Sequence, residues 1–251
     1  MSYGISVKFG KIIATALVVI LVAQAQAIST AALGQGIPSL APMLEQVTPA
    51  VVSIRVSKAM PASGSGGEQL GRAYATGAGS GVIVDAAQGL IITNHHVVAG
   101  ASRIPVRLLD ERTLEATLLG SDPGTDVALL QVEAKDLVEI AFADVSTVAV
   151  GDYVVAIGNP FGIGQTVTSG IVSALGRAGI NSDNYEDFIQ TDAAINLGNS
   201  GGALVDMEGN LIGINTAIIS GSGGSNGIGF AVPTDMVASV MDHLKRDGEV
   251  R

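Results

Sequence analysis

Short apolar runs recur between about residue 50 and residue 232, and most are bounded by Gly, Pro, Asn or Asp. Runs of this kind, separated by turn residues, are typical of β-sandwiches and β-barrels. No long amphipathic helix alternates with them, which disfavours a doubly wound α/β fold. The predicted strands are Ala50–Val56, Gly81–Val84, Leu90–Thr93, Ile104–Leu109, Val127–Val132, Tyr153–Ile157, Thr166–Leu175, Phe188–Gln190, Ala203–Val205, Leu211–Thr216 and Gly229–Val232.

A break near residues 146–151 divides these strands into two similar sets. The sequence therefore predicts an all-β fold of two small barrels, at about 45–145 and 150–232, within one domain spanning 45–247. One helix closes the chain over residues 234–247. Its apolar stripe has helical spacing, Thr234 is placed to cap it, and Gly248 is placed to end it. The stripe consists of Val237, Val240, Met241 and Leu244.

The N-terminus has the pattern of a secretory signal peptide over residues 1–27. Lys8 and Lys11 precede an apolar run over residues 12–23, and Ala25-Gln26-Ala27 supplies the small residues of a cleavage site. As a helix the run would extend about 18 Å, well short of the ~30 Å hydrocarbon layer. We therefore expect cleavage rather than stable membrane insertion, and a location outside the cytoplasm. Residues 28–44 form a small-residue arm suited to a linker or an oligomer contact.

The composition and net charge exclude several classes of function. The 251 residues are 47% hydrophobic and carry a net charge of −10, and removal of Lys8 and Lys11 with the leader would make it −12. An acidic chain without a basic cluster is a poor nucleic-acid binder, since phosphate contacts need many Lys and Arg. The absence of cysteine excludes disulfides and thiolate metal sites. The sequence indicates no metal or organic cofactor.

The strongest chemical signal is Gly198-Asn199-Ser200-Gly201-Gly202. A serine between glycines can expose its hydroxyl while backbone N–H groups converge beside it, as acyl transfer requires. The expected oxyanion donors are the amides of Gly198 and Ser200, with Asn199 shaping the turn.

A Gly-rich β-turn with an incidental serine is the alternative to a nucleophile at Ser200. An α/β-hydrolase elbow is disfavoured because strand, turn and strand follow the serine, and because the only later histidine, His243, lies off the apolar stripe of the last helix.

A general base has two candidates, His95 and His96, which follow a strand-like apolar run. The orienting carboxylate should lie beside a strand, and Asp126 immediately precedes Val127-Ala128-Leu129-Leu130. Asp122, before Pro-Gly, is better suited to the turn. Asp110 and Asp152 are weaker candidates. The resulting order of His, Asp and Ser is that of chymotrypsin-like proteases, with the site in the cleft between two barrels.

Several motifs together resemble the HtrA/Deg proteases over about residues 38–251. They are Thr-Asn-His-His-Val-Val from Thr93, Asp-Val-Ala-Leu-Leu from Asp126, the segment Gly158–Arg177, the segment Phe188–Asn196, and Gly-Asn-Ser-Gly-Gly-Ala-Leu from Gly198. The family pattern Thr-Asn-x-His selects His96 over His95. The resemblance implies a periplasmic, ATP-independent serine endopeptidase that degrades misfolded proteins, with His96, Asp126 and Ser200 as the triad. It also implies a chymotrypsin-like fold of two six-stranded β-barrels with a C-terminal helix, and a homotrimer built through N-terminal segments.

The resemblance extends to specificity and control. In the chymotrypsin class the residue six before the serine commonly lies at the base of the pocket for the side chain preceding the cut; here it is Ala194. The resemblance places Ile195, Ile218 and Ile219 around a small apolar pocket, and gives Arg177 a regulatory position linking a sensing loop to the site. Barrel core and a solvated arginine are the alternatives for these residues.

Two departures from the family pattern are visible. Family members usually continue into PDZ domains, but this sequence stops at residues 248–251, where the linker would begin. The loop near residues 59–75 is shorter than the longest family versions, which weakens the expectation of higher-order cages. A chaperone or scaffold that holds unfolded chains is the main alternative function, and a lipase or esterase is the third.

Overall fold

A computed structural model of the chain describes residues 39–59, 74–159, 164–179, 185–196, 198–218 and 224–249. The chain divides into two units, Met1–Leu40 and Ala41–Arg251. The first unit contributes only Ser39 and Leu40 to the described residues. The predicted leader and most of the predicted arm, which ends at residue 44, therefore lie outside them. The following account concerns the second unit.

The first half of this unit is built on one eight-stranded antiparallel sheet. The strands run in the order β6-β5-β1-β2-β3-β8-β7, and β4 pairs with β1. A short helix and a 3₁₀ turn at Thr48–Ala50 precede the sheet. The elements are α1 (Ala41–Val47), β1 (Val51–Ala59), β2 (Tyr74–Asp85), β3 (Leu90–Thr93), α2 (His95–Val98), β4 (Ala101–Arg103), β5 (Pro105–Arg107), β6 (Thr113–Glu115), β7 (Thr117–Asp122) and β8 (Val127–Gln131).

The second half is a closed six-stranded barrel with the strand order β10-β11-β14-β13-β12-β9. A 3₁₀ turn at Val145–Thr147 precedes it, and a helix follows it. The elements are β9 (Tyr153–Gly158), β10 (Thr166–Arg177), β11 (Phe188–Thr191), β12 (Ala203–Val205), β13 (Leu211–Ile218), β14 (Gly229–Pro233) and α3 (Thr234–Asp247). The core of the barrel contains Val154, Ala156, Val172, Ile189, Ala193, Ile195, Leu204, Ile212 and Ala231.

The expected fold class is confirmed: the chain is mostly β-strand, with a closed six-stranded barrel and a C-terminal helix. The first half differs in detail, because within the described residues its end strands β6 and β7 do not pair with each other. The predicted strand Ile104–Leu109 is shorter in the structure, where it is β5, and the separate strand β4 before it was not predicted. Strand β4 ends at Arg103 and β5 begins at Pro105, which has no N–H to donate to a ladder.

Helix α3 packs on both halves of the unit, against β7 and β8 of the first sheet and β13 and β14 of the barrel. Val237, Val240 and Leu244 are buried, as the helical stripe predicts. Gly248 ends the helix in the left-handed region at φ 74°, and its N–H donates to the Leu244 carbonyl at 3.0 Å. The predicted cap by Thr234 is wrong. The capping position is Pro233, and the buried Thr234 hydroxyl has no partner among the described residues.

Among the helices that the structure describes, none has the length and apolar character needed to span a membrane.

Replacement of Leu244 by alanine should lower the free energy of unfolding by about 2–5 kcal/mol, because it opens a cavity beneath a buried helix. Leu244 is 1% exposed and lies beside Gly120 of β7. Urea unfolding followed by circular dichroism would measure the change. Lys245→Ala, at the exposed neighbouring position, is the matched control and should stay within about 0.5 kcal/mol of wild type. Equal losses in the two variants would contradict this packing.

Candidate active site

The three residues of the predicted triad come from three turns at strand ends. His96 lies in α2, directly after β3, and Asp126 lies in the turn between β7 and β8. Both therefore belong to the first sheet, in which β3 and β8 are neighbours. Ser200 lies in the turn before β12 and belongs to the barrel.

The carboxylate of Asp126 accepts two hydrogen bonds from His96. The ring Nδ1 of His96 donates to Oδ2 of Asp126 at 2.8 Å, and the backbone N–H of His96 donates to Oδ1 at 2.9 Å. The carbonyl of Asp126 also accepts from the His95 N–H at 3.1 Å and from Nδ2 of Asn94 at 2.9 Å. The side chain of Asp126 is 16% exposed, and that of His96 is 49% exposed. The imidazole is thus held at Nδ1, while about half of the His96 side chain is exposed.

The turn that presents Asp126 is held by Asp122. The carboxylate of Asp122 accepts from the N–H groups of Gly124 and Thr125, at 3.3 and 2.9 Å, and from the Thr125 hydroxyl at 2.7 Å. Asp126 itself adopts a left-handed backbone conformation at φ 58°, which is uncommon for a residue other than glycine. Asp122 is therefore a turn residue, as its Pro-Gly context predicts.

Thr216 of β13 connects Ser200 to Asp126. Its hydroxyl donates to Oδ2 of Asp126 at 2.5 Å, and its carbonyl accepts from the Ser200 hydroxyl at 3.2 Å. A hydroxyl, an imidazole and a carboxylate from distant parts of the chain are thereby brought into one cluster. This combination of groups is the one used for acyl transfer through an activated serine.

Sequence reasoning missed Thr216 altogether. It is a threonine near the end of an apolar strand and carries no local motif. Only its position opposite the turn of Asp126, which is 90 residues earlier in the chain, reveals its contacts.

The sequence profile described as the trypsin-like peptidase domain matches residues 79–214, more than half of the chain. The solved HtrA-type protease AlgW with a decapeptide is 46% identical and superposes with a TM-score of 0.76, covering 85% of this chain and 69% of that one. The chain belongs to the HtrA-type trypsin-like peptidases.

Curated relatives agree with this membership. The periplasmic serine endoprotease DegP of Escherichia coli K12 is 48% identical over 260 residues, which cover 89% of this chain and 54% of DegP. The periplasmic pH-dependent serine endoprotease DegQ of the same strain is 49% identical over 227 residues, which cover 86% of this chain and 50% of DegQ. The chain therefore spans about half the length of the curated relatives it matches.

In this HtrA-type chain, the backbone N–H groups around Ser200 differ in whether they already donate a hydrogen bond. The Asn199 N–H donates to the Asn196 carbonyl at 3.0 Å, so it is already engaged. The Asn199 side chain is buried and lies against Gly158, where an added Cβ would be 2.4 Å from its Oδ1. The amides of Gly198 and Ser200 have no acceptor within the described part of the chain. They are the two candidates that remain for an oxyanion hole, with Asn199 as a turn residue.

The residues expected to line the specificity pocket are placed differently from one another. Ala194 is partly buried, and its carbonyl accepts from the Thr168 hydroxyl at 2.9 Å. Ile195 is 1% exposed and packs in the barrel core, where an added Cβ on Gly229 would be 2.8 Å from its Cδ1. Its role in the specificity pocket stays a prediction. Ile219 and the side chain of Ile218 lie outside the described part of the structure.

The remaining predicted residue of the site, Arg177, lies at the exposed end of β10. Its Nε donates to Oε1 of Gln190 at 2.9 Å, across the pairing of β10 with β11. This contact ties the ends of two barrel strands together. A regulatory role for Arg177 stays a prediction.

The alternative acids and bases have local partners of their own. Nδ1 of His95 lies 3.0 Å from the Ser121 hydroxyl, and that of His243 lies 2.8 Å from the Ser239 carbonyl. Asp110 binds Arg112 at 2.7 Å, and Asp152 accepts from the Ala149 N–H at 2.8 Å. None of these side-chain contacts is with Asp126, Thr216 or Ser200.

Electrostatics favours an ionised Asp126. Burial alone would raise the pKa of its carboxyl, but the hydrogen bond and the charge of His96 oppose this. The Thr216 hydroxyl and the His96 backbone N–H donate to the carboxylate as well. Together these interactions hold the pKa of Asp126 below its ordinary value. The carboxylate is therefore available to accept from the imidazole.

Removal of the Thr216 hydroxyl should weaken this stabilisation in a pH-dependent way. A carboxyl whose pKa is lowered by folding contributes stability above its unfolded pKa, and this is lost as the pH falls through the folded-state pKa. Thr216→Val should therefore cost about 1–3 kcal/mol near neutral pH, and the difference from wild type should shrink below about pH 4. Urea unfolding at a series of pH values would measure it.

Thr234→Val is the matched control for this experiment, because the buried Thr234 hydroxyl has no partner among the described residues. Its difference from wild type should not change with pH. A Thr216→Val curve parallel to that of wild type at all pH values would show that the Thr216 hydroxyl does not act on the Asp126 carboxylate.

Proposed function

We propose that this chain is a serine endopeptidase that cleaves unfolded or misfolded proteins in the periplasm without ATP. The observation that carries the proposal is the cluster in which Asp126 binds His96 and Thr216 connects Asp126 to Ser200. Membership of the HtrA-type peptidases supports it, as does the description of DegP and DegQ as periplasmic serine endoproteases.

The reaction follows from the roles of the three side chains. Asp126 accepts from Nδ1 of His96, which leaves Nε2 as the basic nitrogen. His96 takes the Ser200 proton as the hydroxyl attacks a peptide carbonyl, and it then protonates the leaving amine. The hydroxyl that donates to the Thr216 carbonyl in this structure must first turn toward His96. Water then hydrolyses the acyl-enzyme by the same steps in reverse order.

Developing charge on the substrate oxygen needs donors that are fixed before the reaction. The amides of Gly198 and Ser200 fill this role in the proposal, since neither is engaged elsewhere within the described residues. A single oxyanion donor is worth about 3–4 kcal/mol of transition-state stabilisation.

The assembly and location of the protein are part of the same proposal. Residues 1–27 act as a cleaved leader that directs the chain to the periplasm, and residues 28–44 join three copies into a homotrimer. The protease domain spans 45–247, and residues 248–251 begin a linker. Arg177, which bonds to Gln190 of the neighbouring strand, has a regulatory role between a sensing loop and the site in this proposal.

The central test compares three single variants. Ser200→Ala and His96→Ala should each lower the rate of casein cleavage by more than about 10⁴-fold, because the triad acts as a unit. His95→Ala removes the neighbouring imidazole, which contacts Ser121 instead, and should retain most of the activity. Only chains with Ser200 and His96 should react with a fluorophosphonate probe.

Cleavage by Ser200→Ala at the wild-type rate would overturn the assignment. A wild-type chain that binds unfolded casein but neither cleaves it nor reacts with the probe would favour the chaperone function instead.

Specificity is the second testable part of the proposal. Ala194 carries no charge at the base of the pocket, so lysine and arginine would be buried there without a counter-ion. We expect cleavage after small or branched apolar residues, mainly Val, Ile and Ala. A peptide-library profile read by mass spectrometry would measure this preference, and a profile dominated by Lys or Arg would contradict it.

A further inference from the structure

Ser80 lies in β2 of the first sheet and is fully buried, yet it makes four polar contacts. Its hydroxyl donates to the Gly198 carbonyl at 2.6 Å and accepts from the Asn159 N–H at 2.8 Å. Gly198 begins the serine turn, and Asn159 directly follows β9. One buried hydroxyl thus joins a strand of the first sheet to two separate segments of the barrel.

The backbone of Ser80 adds two further contacts. Its N–H donates to the Ser200 carbonyl at 2.8 Å, and its carbonyl accepts from the Thr93 hydroxyl at 2.7 Å. Thr93 is the last residue of β3, three residues before His96. Ser80 is therefore bonded both to the serine turn and to the strand that leads to the histidine.

These bonds hold two peptide groups of the serine turn. The peptide between Gly198 and Asn199 is held at its carbonyl by the Ser80 hydroxyl and at its N–H by the Asn196 carbonyl. The peptide between Ser200 and Gly201 is held at its carbonyl by the Ser80 N–H and at its N–H by the Asn215 carbonyl. The Ser200 N–H belongs to the peptide that lies between these two, and the Gly198 N–H belongs to the peptide directly before the first, so both candidate donors adjoin a held peptide plane.

We propose that Ser80 is a positioning residue for the oxyanion hole, acting through its hydroxyl on the Gly198 carbonyl. This inference rests on the proposed function of Ser200 and adds a residue from the opposite half of the molecule. Without the hydroxyl, the Gly198 carbonyl and the Asn159 N–H both lose a partner, and the peptide between Gly198 and Asn199 is held at its N–H alone. Misplaced donors stabilise the oxyanion poorly, while the substrate-binding surface remains.

Ser53 provides a matched control on the paired strand. It lies directly opposite Ser80 in the register of β1 with β2, and it is equally buried. Its hydroxyl has no partner within the described residues. Ser53→Ala and Ser80→Ala therefore remove the same atom from neighbouring buried sites, but only the second removes bonds to the serine turn.

The experiment measures peptide hydrolysis by purified wild type, Ser80→Ala, Ser53→Ala and Ser200→Ala, well below the melting temperature of each. We expect Ser80→Ala to lower kcat by about tenfold to a hundredfold with KM changed less than about twofold, since small misplacements of catalytic groups have effects of this size. Ser53→Ala should keep the wild-type kcat. Hydrogen exchange of the peptide covering residues 198–203 should become faster in Ser80→Ala only.

Equal kcat in Ser80→Ala and Ser53→Ala, at equal folded fractions, would overturn the inference. A lower melting temperature of Ser80→Ala without a fall in kcat would show a purely structural role, and would also overturn it. If Ser80→Ala does not fold, the nearly isosteric Ser80→Cys decides the question. Its weak S–H donor should still lower kcat, and wild-type kcat in this variant would contradict the proposal.

The controls separate this inference from the proposed function. A wild-type chain with no more hydrolysis than Ser200→Ala would refute the proposed function. In that case the exchange measurement alone decides whether Ser80 holds the serine turn, with equal exchange in Ser80→Ala and Ser53→Ala counting against it.

Discussion

The carboxylate of Asp126 lies where the two halves of the molecule meet, and it needs partners from both because it is shielded from water. His96 supplies two donors from the first sheet, and Thr216 supplies one from the barrel. A buried carboxylate without such donors would be costly, and a single missing partner would leave it strongly destabilised. The electrostatic requirement of one side chain therefore constrains the relative position of the sheet and the barrel.

Close backbone contact reinforces the same junction. Gly201 has φ 81°, and an added Cβ there would be 2.2 Å from the Ser80 carbonyl. No other residue type fits this position without displacing main-chain atoms, which explains why a glycine directly follows the serine. The turn can then approach β2 closely enough for the Ser80 N–H to reach the Ser200 carbonyl. Glycines, which in a sequence suggest a flexible segment, here allow close packing of the backbone.

Much of the fold and part of the site could be predicted from the sequence. The barrel strands are apolar runs bounded by turn residues, and α3 has a clear helical stripe. Strand β7 was missed because its exposed and buried positions do not alternate. Strand β6 has only three residues and little burial, so its pattern is too short to detect. Strand β4 was missed for the same reason, because it has only three residues and none of them is buried.

Residues of the site also differ in whether a local sequence motif reveals them. His96, Asp126 and Ser200 each carry a local motif, and the structure brings them into one cluster. Thr216 and Ser80 carry none, because their contacts join residues 90 and 118 positions apart. Ile195 packs in the barrel core, and its place in the specificity pocket, which only the family resemblance implies, stays a prediction.

Helix α3 rests on strands from both halves, with its apolar stripe shared between them. Neither half can open without exposing part of that stripe to water, so separation of the halves and loss of the helix are energetically linked. The molecule should consequently denature in one cooperative transition rather than as two independently melting lobes. A partly opened form, with one lobe intact and the nucleophile still accessible, would be a minor species.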